Sequence, residues 1–198
     1  MAPAHRPEPS LAKLALRDRL TTARNRRDLA DIGDAARSIA GRLLDAPEVR
    51  RAGTVAAYVS IGVEPGTTLL LESLLAARVR VLLPVLLPDG DLDWAVHTDA
   101  PGSLARARLG LLEPTSERLG VDAVAMADAV VVPGLAVSPS GLRMGRGGGS
   151  YDRALARVPA GTFTCVALYD DEVGLDVPAE PHDRPVTAAV SPAGLVRF

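Results

Sequence analysis

Apolar residues recur at helical spacing over 10–29, where Leu11, Leu14 and Leu20 fall along one side, and this period predicts a first helix. Asp31 or Asp34 can cap a second helix that runs through Leu44 and is closed by Pro47. The pattern then changes to short apolar runs. Residues 53–60 (GTVAAYVS) combine small and β-branched side chains and predict a buried strand. A Glu64-Pro65-Gly66 turn follows, and Thr67 caps a helix through Ala77. Residues 79–85 read as the next strand, and 92–97, after the Asp89-Gly90 turn, alternate as an edge strand does. Residues 101–113 predict a loop with one helical turn. Beyond them lie a buried strand at 128–133, a short helix at 150–157, and strands at 162–169 and 185–190.

Strands separated by helical segments predict an α/β fold, a single three-layer α/β/α domain with a mostly parallel sheet. No internal repeat or linker divides the chain, so 1–198 reads as one domain. Residues 1–9 hold three prolines beside His5, Arg6 and Glu8 and have no apolar core, which predicts a disordered leader and not a signal peptide.

Composition narrows the function classes. With 47% hydrophobic and 23% charged residues, the chain reads as globular, not disordered. The apolar run 79–87 is broken by Arg80 and Pro84, well short of the roughly 18–20 residues a membrane span requires, so no membrane partner is expected. Cys165 is the only cysteine, which excludes an intrachain disulfide and a multi-cysteine zinc site. Its apolar run, 163–168, favours a buried structural thiol in a reducing cytoplasm.

Charge is unevenly spread. Residues 13–27 carry Lys13, Arg17, Arg19, Arg24, Arg26 and Arg27 against Asp18 alone. Residues 170–183 carry Asp170, Asp171, Glu172, Asp176, Glu180 and Asp183 against no lysine or arginine. Two readings stand: two solvated faces that attract each other, or a cationic and an acidic wall around one site for an anion and its metal. A net charge of −2 and a single tryptophan, Trp94, argue against nucleic acid. Lys13 is the only lysine. It is either a chance survivor of an arginine-biased composition or a position that needs a compact ammonium.

The chemistry concentrates between Pro133 and Asp152, where Gly134, Gly141, Gly145, Gly147, Gly148 and Gly149 precede a helix. Such backbone lets N–H groups approach an anion at a helix N-terminus, with Arg143 and Arg146 to clamp phosphate oxygens; a flexible surface loop is the alternative. A P-loop is excluded because the run has no lysine. A dinucleotide fingerprint fails because the predicted strand ends near Pro133, about eleven residues too early.

The stretch Gly141-Leu142-Arg143-Met144-Gly145-Arg146-Gly147-Gly148-Gly149-Ser150-Tyr151-Asp152-Arg153 resembles the signature loop of the 5-formyltetrahydrofolate cyclo-ligases, G-x-R-L-G-x-G-x-G-Y-Y-D. Lys13-x-x-x-Arg17, Tyr58-Val59-Ser60 with Glu64, 109–114, 132–136 and 178–183 resemble further family segments in the same order. The resemblance implies conversion of 5-formyltetrahydrofolate to 5,10-methenyltetrahydrofolate, with ATP becoming ADP and phosphate. It implies ATP contacts from Lys13, Arg17, Arg143, Met144, Gly145, Arg146, Gly147, Gly148, Gly149, Ser150 and Tyr151. Val59 and Glu64 are implied to face the reduced folate, together with the Arg146-to-Ser150 loop. Asp152 and Asp183 are implied to ligate Mg²⁺, and Arg146 and Asp152 to serve the chemical step. Without the family, Glu64 is an ordinary turn residue and Asp152 a helix-start aspartate. His182 is read as a neighbour that orients the acidic segment. The expected state is a monomer or weak homo-oligomer. Ser150 departs from the family, standing where the first of two tyrosines is usual. This leaves room for a second reading, a relative that binds nucleotide or folate without ligase activity.

Overall fold

The computed structural model describes residues 11–198, so the leader at 1–9 and Ser10 lie outside the described residues. Helix α1 (Leu11–Arg24) stops short of Leu29, and the chain turns before α2 (Leu29–Asp45). Asp28, in extended conformation, holds the N-cap position of α2, which places Asp31 and Asp34 inside the helix instead of at its start. Pro47 does not simply end α2; it opens α3 (Pro47–Arg50). Ala46 is forced out of helical geometry by the following proline, while a first-turn proline forfeits no helical bond.

The strands are β1 (Thr54–Ala56), β2 (Arg80–Leu86), β3 (Leu92–His97), β4 (Leu104–Arg106), β5 (Leu112–Pro114), β6 (Ala129–Pro133), β7 (Ala136–Val137), β8 (Arg143–Met144), β9 (Phe163–Ala167), β10 (Ala188–Val190) and β11 (Leu195–Arg197). Helix α4 (Thr68–Ala76) joins β1 to β2, and α5 (Ser150–Leu155) precedes β9. Seven strands form one sheet in the order β11-β10-β9-β6-β1-β2-β3. Its five central strands are parallel, and the edge strands β3 and β11 are antiparallel. Within 101–113, where a loop and helical turn were expected, residues 104–106 pair with 112–114 as a hairpin around a 3₁₀ turn.

Two cores explain why the central strands read as continuous apolar runs. Val55, Val81, Leu83, Val131 and Cys165 face α2 and α4, packing on Ile39, Leu43, Leu70 and Leu74. Ala56, Leu82, Val130, Val132 and Val166 point the opposite way, onto Trp94, Val124 and Leu155. Cys165 is fully buried and burial pushes its thiol up, which makes it the structural residue expected. Thr67 holds the N-cap position of α4 without a capping bond. Its hydroxyl instead donates to the Tyr58 carbonyl at 2.7 Å and accepts from the Ser60 N–H at 2.9 Å, pinning the chain just beyond β1.

Candidate active site

β1 leads to β2 on one side of the sheet, whereas β6, β9 and β10 extend it on the other, so the sheet's switch point lies between β1 and β6. Loops leaving adjacent strands diverge at such a point and open a crevice at their carboxyl ends. Here a cleft of about 1000 Å³ is lined by Tyr58 and Val59 beyond β1, Pro133 at the end of β6 and Gly134 after it, and Leu86 at the end of β2.

The glycine-rich segment forms one lip. The short antiparallel β7–β8 pair carries the chain back from β6 before the glycines begin. Gly147 has φ +94, and a Cβ there would lie 3.2 Å from the Arg17 guanidinium, so both conformation and space favour glycine. Arg17 in turn donates from Nε to the Gly145 carbonyl at 3.2 Å.

The charged side chains arrive from distant segments. Lys13, 4% exposed, places Nζ 3.0 Å from Glu180 Oε2 and 2.8 Å from Asp183 Oδ2. Asp183 Oδ2 also accepts the Glu180 N–H at 2.8 Å. Asp152 Oδ1 accepts from Arg143 Nη2 at 3.0 Å and from the Arg184 N–H at 3.3 Å. Arg143 is buried and also donates to the Pro133 carbonyl, which makes it an internal strut behind the glycine lip. Arg146 is the exposed one; its Nη2 lies 3.2 Å from Glu64 Oε1. Glu64 is buried, accepts the Ile61 N–H at 2.9 Å through Oε2, and burial pushes its carboxyl above the ordinary range.

The two charged segments do meet, at two places, and the contact at Arg24 is buried rather than the solvated one expected. Lys13 and Arg17 line the cleft with Glu180 and Asp183. Arg24 pairs with Glu172 at 2.7 Å with both side chains buried, and Arg27 bonds Asp171. Helix α1 buries only Leu20 among its apolar residues, so these ion pairs dock it.

Of the predicted site residues, Lys13, Arg17, Val59, Glu64, Arg143, Gly145, Arg146, Gly147, Gly148, Gly149, Ser150, Tyr151, Asp152 and Asp183 all line the cleft. Met144 does not: its side chain is fully buried against Leu20, Leu135 and Val177. Arg143 and Met144 are neighbours in a strand and therefore face opposite sides. Ser150 donates from Oγ to the Gly90 carbonyl at 2.5 Å and so ties α5 to the β2–β3 turn. Tyr58, Leu109, Leu111, Leu112 and Glu180 also line the cleft; sequence reading placed them in family-like or acidic segments but gave none of them a site role. It also set His182 aside as a ligand, yet one donor atom each from Glu180, His182 and Asp183 lies within 4.8 Å of the others. The alternation of acid and imidazole over 180–183 was the available signal.

A parallel α/β sheet with a deep, mixed polar and apolar cleft at its switch point defines a small-molecule enzyme scaffold. The model of the 5-formyltetrahydrofolate cyclo-ligase family matches residues 9–192. The chain is 42% identical over 144 residues to the 5-formyltetrahydrofolate cyclo-ligase of Mycolicibacterium smegmatis, covering 70% of this chain and 73% of that protein. It is 33% identical over 157 residues to the enzyme of that name from Escherichia coli, covering 78% and 86%. Among solved structures, Aquifex aeolicus 5,10-methenyltetrahydrofolate synthetase superposes with a TM-score of 0.81 at 26% identity, over 94% of this chain and 93% of that one. The chain belongs to the 5-formyltetrahydrofolate cyclo-ligase family, a family of enzymes.

Proposed function

We propose that this chain converts 5-formyltetrahydrofolate to 5,10-methenyltetrahydrofolate, using ATP and Mg²⁺ and releasing ADP and phosphate. The observation that carries this reading is that one cleft holds both halves of such a reaction. Val59 and Glu64 line it together with Lys13, Arg17 and the glycine lip at 145–150, and Glu64 meets the lip directly at Arg146. A formamide oxygen is a poor leaving group. Its attack on the γ-phosphorus expels ADP and yields an imidate-like phosphate ester. N10 then adds to that carbon and gives up its proton, and phosphate departs with the former formyl oxygen. No protein nucleophile is required, so positioning and charge neutralisation carry the catalysis.

Lys13 and Arg17 receive the polyphosphate, with the backbone of 145–149 around it, and Arg146 bridges from Glu64 toward the transferred phosphoryl group. Lys13 exchanges part of its contact with Asp183 for phosphate as nucleotide arrives. The carboxylates of Asp152 and Asp183 both line the cleft, and they fit a hard cation whose remaining ligands are phosphate and water. When bound, Mg²⁺ supplies charge neutralisation to the transferring phosphoryl group. Glu64 orients the folate through its fixed carboxylate. The reaction belongs to the cytoplasm, and no helix among the described residues is long and apolar enough to cross a membrane.

The deciding experiment incubates the protein with 5-formyltetrahydrofolate and Mg-ATP and follows the absorbance of the methenyl product alongside ADP release. Product formation dependent on all three components is expected. Tight folate or nucleotide binding without turnover would instead identify a binding protein on the same scaffold.

A further inference from the structure

Buried polar groups without partners are uncommon in folded proteins, and each calls for a reason. Among the described residues, five buried side-chain atoms lack a hydrogen-bond partner: Arg27 Nε, Tyr58 Oη, Trp94 Nε1, His97 Nδ1 and Arg143 Nε. Only Tyr58 and Arg143 of these belong to residues that line the large cleft. Tyr58 stands directly beyond β1 at the switch point of the sheet, and its carbonyl is fixed by the Thr67 hydroxyl. Tyr58 is 3% exposed and held in the core that packs on α2 and α4, so the hydroxyl's position is built in.

The surroundings define what this hydroxyl awaits. Glu64, the nearby carboxylate, already accepts from Ile61 and pairs with Arg146 through its two oxygens. Burial pushes the Tyr58 phenol up, so it stays neutral and keeps its proton. The other orphan in the cleft wall, Arg143 Nε, is a donor without acceptor capacity. Two residues that line the cleft thus each keep an unspent donor, which calls for a ligand that presents acceptors. Polyphosphate is drawn to the cations Lys13 and Arg17, whereas a neutral phenol matches a carbonyl oxygen.

We propose that Tyr58 is a specificity-determining residue whose hydroxyl donates a hydrogen bond to a carbonyl oxygen of the reduced folate. This rests on the folate assignment above. Reduced folates offer two such atoms near their ring system, the N5-formyl oxygen and the 4-oxo group of the pterin. Both present the same acceptor chemistry. In this role the unpaired hydroxyl is a group that ligand completes: costly to leave unbonded in the free protein and discriminating once the folate arrives.

The test uses the full chain and its Tyr58→Phe variant, with binding read by calorimetry and stability by thermal unfolding. The variant is expected to bind 5-formyltetrahydrofolate about tenfold more weakly, to bind Mg-ATP as the wild type does, and to unfold no lower than the wild type. A loss seen with 5-formyl- but not 5-methyltetrahydrofolate assigns the bond to the formyl oxygen; a loss with both assigns it to the pterin. Equal folate affinity in variant and wild type overturns the proposal. So does a lowered unfolding temperature with no ligand present, since that means the hydroxyl is already bonded within the protein. Fluorine resonances of the wild type labelled with 3-fluorotyrosine give an independent readout, because the chain has only three tyrosines. A Tyr58 resonance unmoved by saturating 5-formyltetrahydrofolate overturns the proposal as well. Absence of any folate binding by the wild type sinks the folate assignment itself, and this inference with it.

Discussion

Lys13 Nζ lies 2.8 Å from Asp183 Oδ2, so the chain's single lysine meets a carboxylate 170 positions away inside the cleft. A compact ammonium serves two acids at once here, reaching Glu180 at 3.0 Å as well. Lys13→Arg substitutes a larger planar fork in a buried position. The variant is expected to raise KM for ATP about tenfold while KM for 5-formyltetrahydrofolate stays within about twofold. Its unfolding midpoint should fall by about 2–8 °C, the range for a loss of about 1–2 kcal/mol in a chain of this length. Steady-state kinetics with each substrate varied in turn check the first part, and calorimetry the second. Unchanged ATP kinetics would mean that any positive charge suffices at this position.

The two aspartates proposed above to hold Mg²⁺ should behave differently in the free protein. Asp183→Asn removes the charge from a buried lysine contact and is expected to cost about 1–3 kcal/mol of stability. Asp152→Asn leaves Arg143 its bond to the Pro133 carbonyl, so the smaller stability loss falls there. In turnover, each should raise the Mg²⁺ requirement, and the double variant should lose less than the product of the single losses. Cleanly multiplicative losses would place the two carboxylates on separate ions or functions.

Ser150 stands at a position where the family usually carries a tyrosine, and its hydroxyl bonds the Gly90 carbonyl. Arg153 donates to the same carbonyl, so Ser150→Tyr leaves that acceptor satisfied. The added ring would enter a cleft that Leu109 and Leu112 also line. An aromatic contact is worth roughly 0.5–1.5 kcal/mol beyond its area, which predicts a two- to tenfold fall in KM for 5-formyltetrahydrofolate, about that for one such contact. KM for ATP should hardly move. A KM for folate that rises would show that the space beside Ser150 is already filled by another side chain.

Asp91 links the start of β3 to the residues following α5, with Oδ2 2.6 Å and Oδ1 2.9 Å from the two Nη atoms of Arg157. The Arg157 guanidinium holds this carboxyl below the ordinary aspartate range. A carboxyl lowered in the folded state contributes stability that is fully present above the unfolded value, near 3.9, and is lost as pH falls through the lower folded one. Asp91→Asn should therefore lower the unfolding temperature by a constant amount from about pH 8 to pH 5, and the gap to wild type should close below about pH 4. Unfolding scans across that range check it; a gap that persists at low pH would mean that the contact does not depend on charge.

How far the sequence reaches is visible residue by residue. The strands at 129–133 and 163–167 were legible because a strand buried on both faces must be apolar throughout, and that pattern is local. The glycine lip was legible for the same reason: backbone that takes positive φ, as at Gly147 and Gly149, writes its requirement into nearby positions. Asp31, Asp34 and Pro47 misled because capping residues are common and the chain alone does not say which one a packed helix will use. Met144 could not be separated from Arg143 without knowing that a two-residue strand turns one toward the cleft and the other into the core. The hairpin within 104–114 stayed hidden because its two strands are only three residues long, too short for either to show a pattern without its partner. By itself the sequence determined which segments must be buried and which backbone must stay bare. Only the tertiary structure decided that Lys13 meets Asp183, that Arg24 meets Glu172, and that Tyr58 enters the cleft wall with its hydroxyl unbonded. Those meetings depend on long-range closure of the sheet, where the energy of a contact is set by burial and partner geometry that neither residue encodes alone.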